Sequence, residues 1–107
     1  MVIIETRLFS RKIKELMDKE CYRELQNELI VMPDLGKIIQ GSGGIRKVRW
    51  SGSGRGKRGG SRVIYYWATN KNQIYMLFAY AKNECSDLTK EQLSMLKKLV
   101  EQEFGNG

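Results

Sequence analysis

Between Leu35 and Asn83 the chain has no acidic residue, yet that stretch holds ten basic ones and three runs patterned as β-strands. Ile45-Arg46-Lys47-Val48-Arg49-Trp50 alternates with period two, so Lys47 and Arg49 share one face and Val48 and Trp50 the other. Arg62 to Ala68 is rich in β-branched and aromatic residues, and Gln73 to Lys82 is a further long apolar run. Gly41-Ser42-Gly43-Gly44 leads into the first strand, Ser51 to Gly60 reads as a glycine-rich loop, and Thr69-Asn70-Lys71-Asn72 as a turn. Strands joined this closely form an antiparallel meander.

The flanks follow other periods. Val2 to Leu8 reads as a short first strand, and Ser10 as the N-cap of a short helix containing Ile13, Leu16 and Met17. Asp18 is placed to cap a second helix, in which Tyr22, Leu25, Leu29 and Met32 recur at helical spacing. Pro33-Asp34-Leu35-Gly36 ends it, since proline disfavours helix at the residue before it. The two helices read as an antiparallel hairpin. Thr89-Lys90-Glu91-Gln92 matches a capping box flanked by Leu88 and Leu93 as a hydrophobic staple, and Leu93, Leu96, Val100 and Phe104 form one apolar stripe. The expectation is an α+β fold, one domain over residues 1–107, with helices on one sheet face and the cations on the other.

The whole excess of the formal +7 charge sits in the acid-free middle. A single-sign block is costly through self-repulsion unless an anion offsets it. Trp50, Tyr65, Tyr66, Trp67, Tyr75, Phe78 and Tyr80 flank the cations. Most rings at strand spacing are core. Cations beside ring faces nevertheless suit a nucleic acid, whose phosphates take the charge and whose bases can stack.

Several classes are set aside. No apolar run approaches the roughly 20 residues of a membrane span, and Glu5 interrupts the apolar opening that a signal peptide would need. A cytoplasmic location is expected. Cys21 and Cys85 stand apart with no histidine anywhere, so no zinc-ligand set exists and imidazole chemistry is excluded. The glycine loop does not match a nucleotide-binding P-loop, because Lys57 is followed by Arg58 and the next segment reads as strand. Arg55, Lys57 and Arg58 more plausibly form a basic arm on a free backbone, able to hug RNA.

Four further runs act together: Pro33-Asp34-Leu35-Gly36, Ile39 to Arg49, Gly56 to Tyr66, and Tyr80-Ala81-Lys82-Asn83-Glu84 with Asp87-Leu88. Taken as a set they closely resemble the HigB branch of the RelE/ParE toxin superfamily. The resemblance implies a strand, two helices, a three-stranded meander and a closing helix. It implies a ribosome-dependent endoribonuclease that cuts messenger RNA in the A site, without metal or small-molecule cofactor. It also implies a cognate antitoxin, usually encoded alongside and itself a DNA-binding repressor; a helix-turn-helix protein is expected. The family's functional positions fall on Lys47, Arg49 and Arg62. RelE proper has Lys-Arg after the last strand where this chain has Lys82-Asn83, so Lys82 takes that place. RelE's tyrosine near the following helix falls at about Thr89, which removes that proton carrier.

For an RNA phosphodiester attacked by its own 2′-hydroxyl, three jobs are needed: deprotonation, charge stabilisation on the phosphate, and protonation of the leaving oxygen. Arg62 suits the second, Lys47 the first if nearby cations such as Arg46, Arg49 and Lys82 depress its pKa, and Arg49 or Lys82 the third. Arg46, Arg55, Lys57, Arg58 and Lys37 are expected to contact RNA or the ribosome. The competing readings are a ParE-like gyrase inhibitor, which typically lacks this basic trio, and a non-catalytic RNA-binding module.

Overall fold

The computed structural model describes residues 1–51, 60–85 and 87–105. Its elements are β1 (Val2–Glu5), α1 (Arg7–Leu16), α2 (Lys19–Val31), β2 (Lys37–Ile38), β3 (Ile45–Trp50), β4 (Ser61–Ala68), β5 (Gln73–Ala81) and α3 (Lys90–Phe104). The strands form one sheet in the order β1-β5-β4-β3-β2. β3, β4 and β5 are the expected antiparallel meander, β2 lies antiparallel along β3, and β1 is parallel to β5. The architecture is α+β. Among the described residues no helix is long and apolar enough to cross a membrane.

The first strand is shorter than its sequence suggests, and Ser10 is not the cap. Thr6 ends β1 and caps α1, accepting a hydrogen bond from the Phe9 amide at 3.0 Å. Its own amide donates to the Met76 carbonyl at 3.0 Å, so the strand pairing stops where the helix starts. Leu8 therefore sits on an exposed helix face, and Phe9 is fully buried. Ser10 instead donates to the Glu5 carboxylate. The other caps are as expected. Asp18 accepts from the Cys21 amide at 2.8 Å, and Thr89 and Gln92 complete a reciprocal capping box.

Strand alternation divides the core into two layers. Val48, Val63, Tyr65, Ile74 and Met76 face α1 and α2, meeting Phe9, Ile13, Leu25 and Leu29. The two helices touch through Phe9 and Tyr22, whose ring centroids lie 5.8 Å apart. Ile45, Ile64, Tyr75 and Leu77 point the other way and meet Leu96 of α3, with Leu93, Val100 and Phe104 packed beside it. The expectation that all helices share one face is thus corrected. α3 carries its own apolar stripe, and the alternate residues of the meander are apolar at one end, so burial draws α3 onto the second face. It covers the Ile45 end of β3, and the strand's other end is where Lys47 and Arg49 lie.

Tyr65 and Gly36 fix where β2 begins. The fully buried Tyr65 hydroxyl donates to the Pro33 carbonyl at 2.7 Å and accepts from the Gly36 amide at 2.8 Å. A Cβ on Gly36 would lie 2.9 Å from both the Lys47 carbonyl oxygen and the Tyr65 ring, so only glycine lets the chain pass there. One residue on, Lys37 enters the sheet opposite Lys47.

β5 carries one residue more than β4 requires. Ile64 is opposite Phe78, but Tyr65 is opposite Met76, which leaves Leu77 as a β-bulge. The Leu77 carbonyl accepts from the Thr6 hydroxyl at 2.9 Å, so the residue that caps α1 also secures the bulge.

Candidate nucleic-acid interface

The cations of the second sheet face arise from register. Directly opposed residues on antiparallel strands point to the same side. Lys37 is opposite Lys47, and Arg49 is opposite Arg62. Two like-charge pairs therefore sit on adjacent same-face rungs of β3, an arrangement that costs stability in the absence of an anion. All four cations line one groove of about 510 Å3 on the open side of β3, which continues past β2 from Val48 to Trp50.

The four differ in setting. Arg62 is only 7% exposed, Lys47 is half-buried, and Lys37 and Arg49 are exposed. Lys47 Nζ lies 3.2 Å from Asp87 Oδ1. The Leu88 amide donates to the same oxygen at 2.9 Å. That amide first, and Lys47 after it, hold the Asp87 carboxyl below its ordinary range against the opposing effect of burial. Asp87 thus occupies a place at Lys47 that a phosphate oxygen could take. Lys47 is placed as a paired cation, a different setting from the all-positive one expected of a lysine base.

Tyr80 completes the site. The bulge shifts the pairing by one, so Tyr80 rather than Ala79 lies opposite Arg62. Its side chain is buried, and its hydroxyl finds no hydrogen-bond partner among the described residues. Burial, reinforced by Asp87 and Cys85, pushes the phenol up to about 12, against the opposing influence of Arg62. The hydroxyl keeps its proton at neutral pH and can act only as a hydrogen-bond donor or acceptor.

The structure brings together Lys37, Lys47, Arg49 and Arg62 among the residues singled out from sequence. Lys82 follows β5 in an exposed turn, its amide 3.3 Å from the Gly60 carbonyl, at the sheet end where Arg62 lies. Arg46 is not part of the face. It is opposite Tyr65, on the side of α1 and α2, and donates to the Gly36 carbonyl at 2.7 Å. The physical reason is alternation: one position from Lys47 along a strand reverses the face. Arg55, Lys57 and Arg58 lie outside the described residues. Cys21 is buried and Cys85 half-buried. Asp87 and Tyr80 carried no assigned role in the sequence reading. Asp87 was legible only as part of a motif, and Tyr80 depends on a bulge that no local pattern marks.

The family model described as the RelE toxin of the RelE/RelB toxin-antitoxin system matches residues 1–105.

Proposed function

The chain belongs to the RelE toxin family, and from that premise we propose that it is a HigB-branch toxin, a ribosome-dependent endoribonuclease that cuts messenger RNA in the A site and arrests translation. Such a toxin works in the cytoplasm, is held inactive by a cognate antitoxin, and acts as one domain over residues 1–107. The observation that carries this reading is the Arg49–Arg62 rung beside Lys47, on the part of the second sheet face that lies at the far end of β3 from the Ile45 core.

The chemistry follows from placement. Arg62 leaves the sheet as a nearly buried guanidinium, held by strands on both sides. A planar fork binds phosphate oxygens in a bidentate way and stays charged through the reaction. Arg49, its exposed neighbour, adds a second cation where charge accumulates as the 2′-oxygen attacks phosphorus. Lys47 lies one rung away and reaches the attacking side once a phosphate displaces Asp87. There its ammonium orients the 2′-hydroxyl beside the scissile phosphate. Lys82 serves the leaving 5′-oxygen. Proton transfer by positioned groups contributes on the order of 10²–10⁴-fold. Alignment of the attacking oxygen supplies up to about 7–11 kcal/mol. The ribosome supplies much of that alignment, and free RNA is cut slowly.

The test is cleavage of one message by purified protein with and without ribosomes, with 2′,3′-cyclic ends as the product signature. Lys47→Ala and Arg62→Ala are expected to lose cleavage and retain ribosome association. Variants that lose association alone would make the face a docking surface. Arrest accompanied by DNA damage, without RNA fragments, would favour a gyrase inhibitor.

A further inference from the structure

The cations of the face do not form a cluster; they form a line with a direction. Arg62 on β4 is opposite Arg49 on β3, and Lys47, two residues back along β3, is opposite Lys37 on β2. Adjacent strands are about 4.8 Å apart and same-face neighbours on one strand about 7 Å apart. From Arg62 to Lys37 the line therefore crosses the sheet diagonally over about 12 Å. That spacing lets the two ends engage different phosphates of an extended RNA strand.

We propose that Lys37 seats the phosphate on the 5′ side of the nucleotide whose 2′-hydroxyl attacks, while Arg49 and Arg62 hold the scissile phosphate. The proposal rests on the nuclease reading above and adds the polarity of the substrate: the RNA runs 5′ to 3′ from β2 toward β4.

Three observations support this order. Arg62 is the most buried cation of the line, which suits the reacting phosphate, and Lys37 is exposed at its far end, which suits a phosphate that only positions. Lys47 is paired with Asp87 on this face, so Lys37 stands opposite a lysine whose charge is partly offset. Both ends line the same groove. Lys37 also owes its place to the Tyr65–Gly36 hydrogen bond just before it, so it is held at a fixed register rather than on a free loop. It is a positioning residue: it touches a phosphate that does not react.

Charge-neutral linkages test the idea. Messages carrying one methylphosphonate immediately 5′ of the cleaved nucleotide are compared with unmodified ones on programmed ribosomes. Neutralising that linkage is expected to raise KM for the wild-type protein about tenfold with kcat nearly unchanged. Lys37→Gln should raise KM on the unmodified message by the same factor, and Lys37→Arg should restore it. Lys37→Gln should then be indifferent to the methylphosphonate, because the two changes remove the same contact. Multiplying effects, or indifference of Lys37→Gln to a neutral linkage on the 3′ side instead, would overturn the proposal. Equilibrium binding to a short single-stranded RNA gives a readout that needs no cleavage. Lys37→Gln should reduce the salt slope by about 0.7, the loss of one phosphate contact. An unchanged slope overturns the assignment of Lys37. Normal binding without any cutting by the wild-type protein overturns the nuclease reading alone.

Discussion

The same chemical change at two tyrosines should have opposite consequences. Tyr65→Phe and Tyr80→Phe each delete one hydroxyl from a buried ring. At Tyr65 the hydroxyl serves two main-chain groups, the Pro33 carbonyl at 2.7 Å and the Gly36 amide at 2.8 Å. Removing it strands a buried amide, because Gly36 itself is buried. An orphaned buried donor costs about 1–3 kcal/mol, and the second lost bond adds about 1 kcal/mol. The total is about 2–4 kcal/mol. At Tyr80 the hydroxyl already lacks a partner among the described residues, so deletion should leave stability unchanged or raise it by up to about 1 kcal/mol. Urea unfolding followed by far-UV circular dichroism reads the contrast. With a slope of about 1.5 kcal/mol per molar, the Tyr65→Phe midpoint should fall by roughly 1.3–2.7 M, and that of Tyr80→Phe should stay or rise. Equal losses in the two variants would refute the reasoning, since Tyr80 would then have a partner of its own, such as bound water. The Tyr65 variant carries a functional corollary. It loosens the turn that delivers Lys37 to its rung, so KM should rise more than the stability loss alone explains.

Two pH-linked predictions follow from the same face. The Tyr80 phenol is raised from 10.0 to about 12, so the folded state keeps a proton that the unfolded state releases. Its stabilising contribution is complete below pH 10 and is lost as the pH rises toward 12; Tyr80→Phe should flatten that decline in urea titrations, with the residual slope coming from Tyr22, Tyr65 and Tyr75, which are also raised. Asp87 is shifted the other way, so its contribution is present above the unfolded carboxylate value of about 3.9 and is lost as the pH falls through the lower folded value. Because the pair with Lys47 is largely exposed, Asp87→Asn should cost no more than about 1 kcal/mol and remove that acid-side dependence, as carboxylate NMR shifts and urea midpoints between pH 2 and 5 would show.

The sequence made the punctuation of the fold legible. Asp18 and the Thr89–Gln92 box mark helix starts by local hydrogen bonding and Pro33 a helix end by local sterics, none of which needs a distant partner; the run at 45–50 is legible by alternation, and those at 62–68 and 73–82 by β-branched, aromatic and apolar content. Two hydroxyls, Thr6 and Ser10, compete to open α1, and the choice is made by Met76 and Leu77 on a strand some 70 residues away. The side taken by α3 is likewise a matter of tertiary packing: its stripe fits any apolar surface, and the one it meets is assembled from Ile45, Ile64, Tyr75 and Leu77. In the site, Lys47 and Arg49 were placed correctly on one face because that needs only period two. Arg62 as their neighbour, Lys37 as a fourth member and Arg46 as an outsider all depend on pairing register, which single strands do not encode. Arg55, Lys57 and Arg58 lie outside the described residues.

The extra residue at Leu77 makes β5 act as a frame-shifted ruler. Upstream of it the strand counts in step with β4; downstream every residue is displaced by one, and it is the displaced half that delivers an aromatic ring to Arg62. Were the same strand to pair in regular register, Leu77 would lie opposite Ile64 and the methyl of Ala79 where the ring now lies, with no change to any cation. Grafting this face onto another scaffold would therefore fail if only its charged residues were copied. The irregularity, together with the threonine that fastens it, has to travel with them.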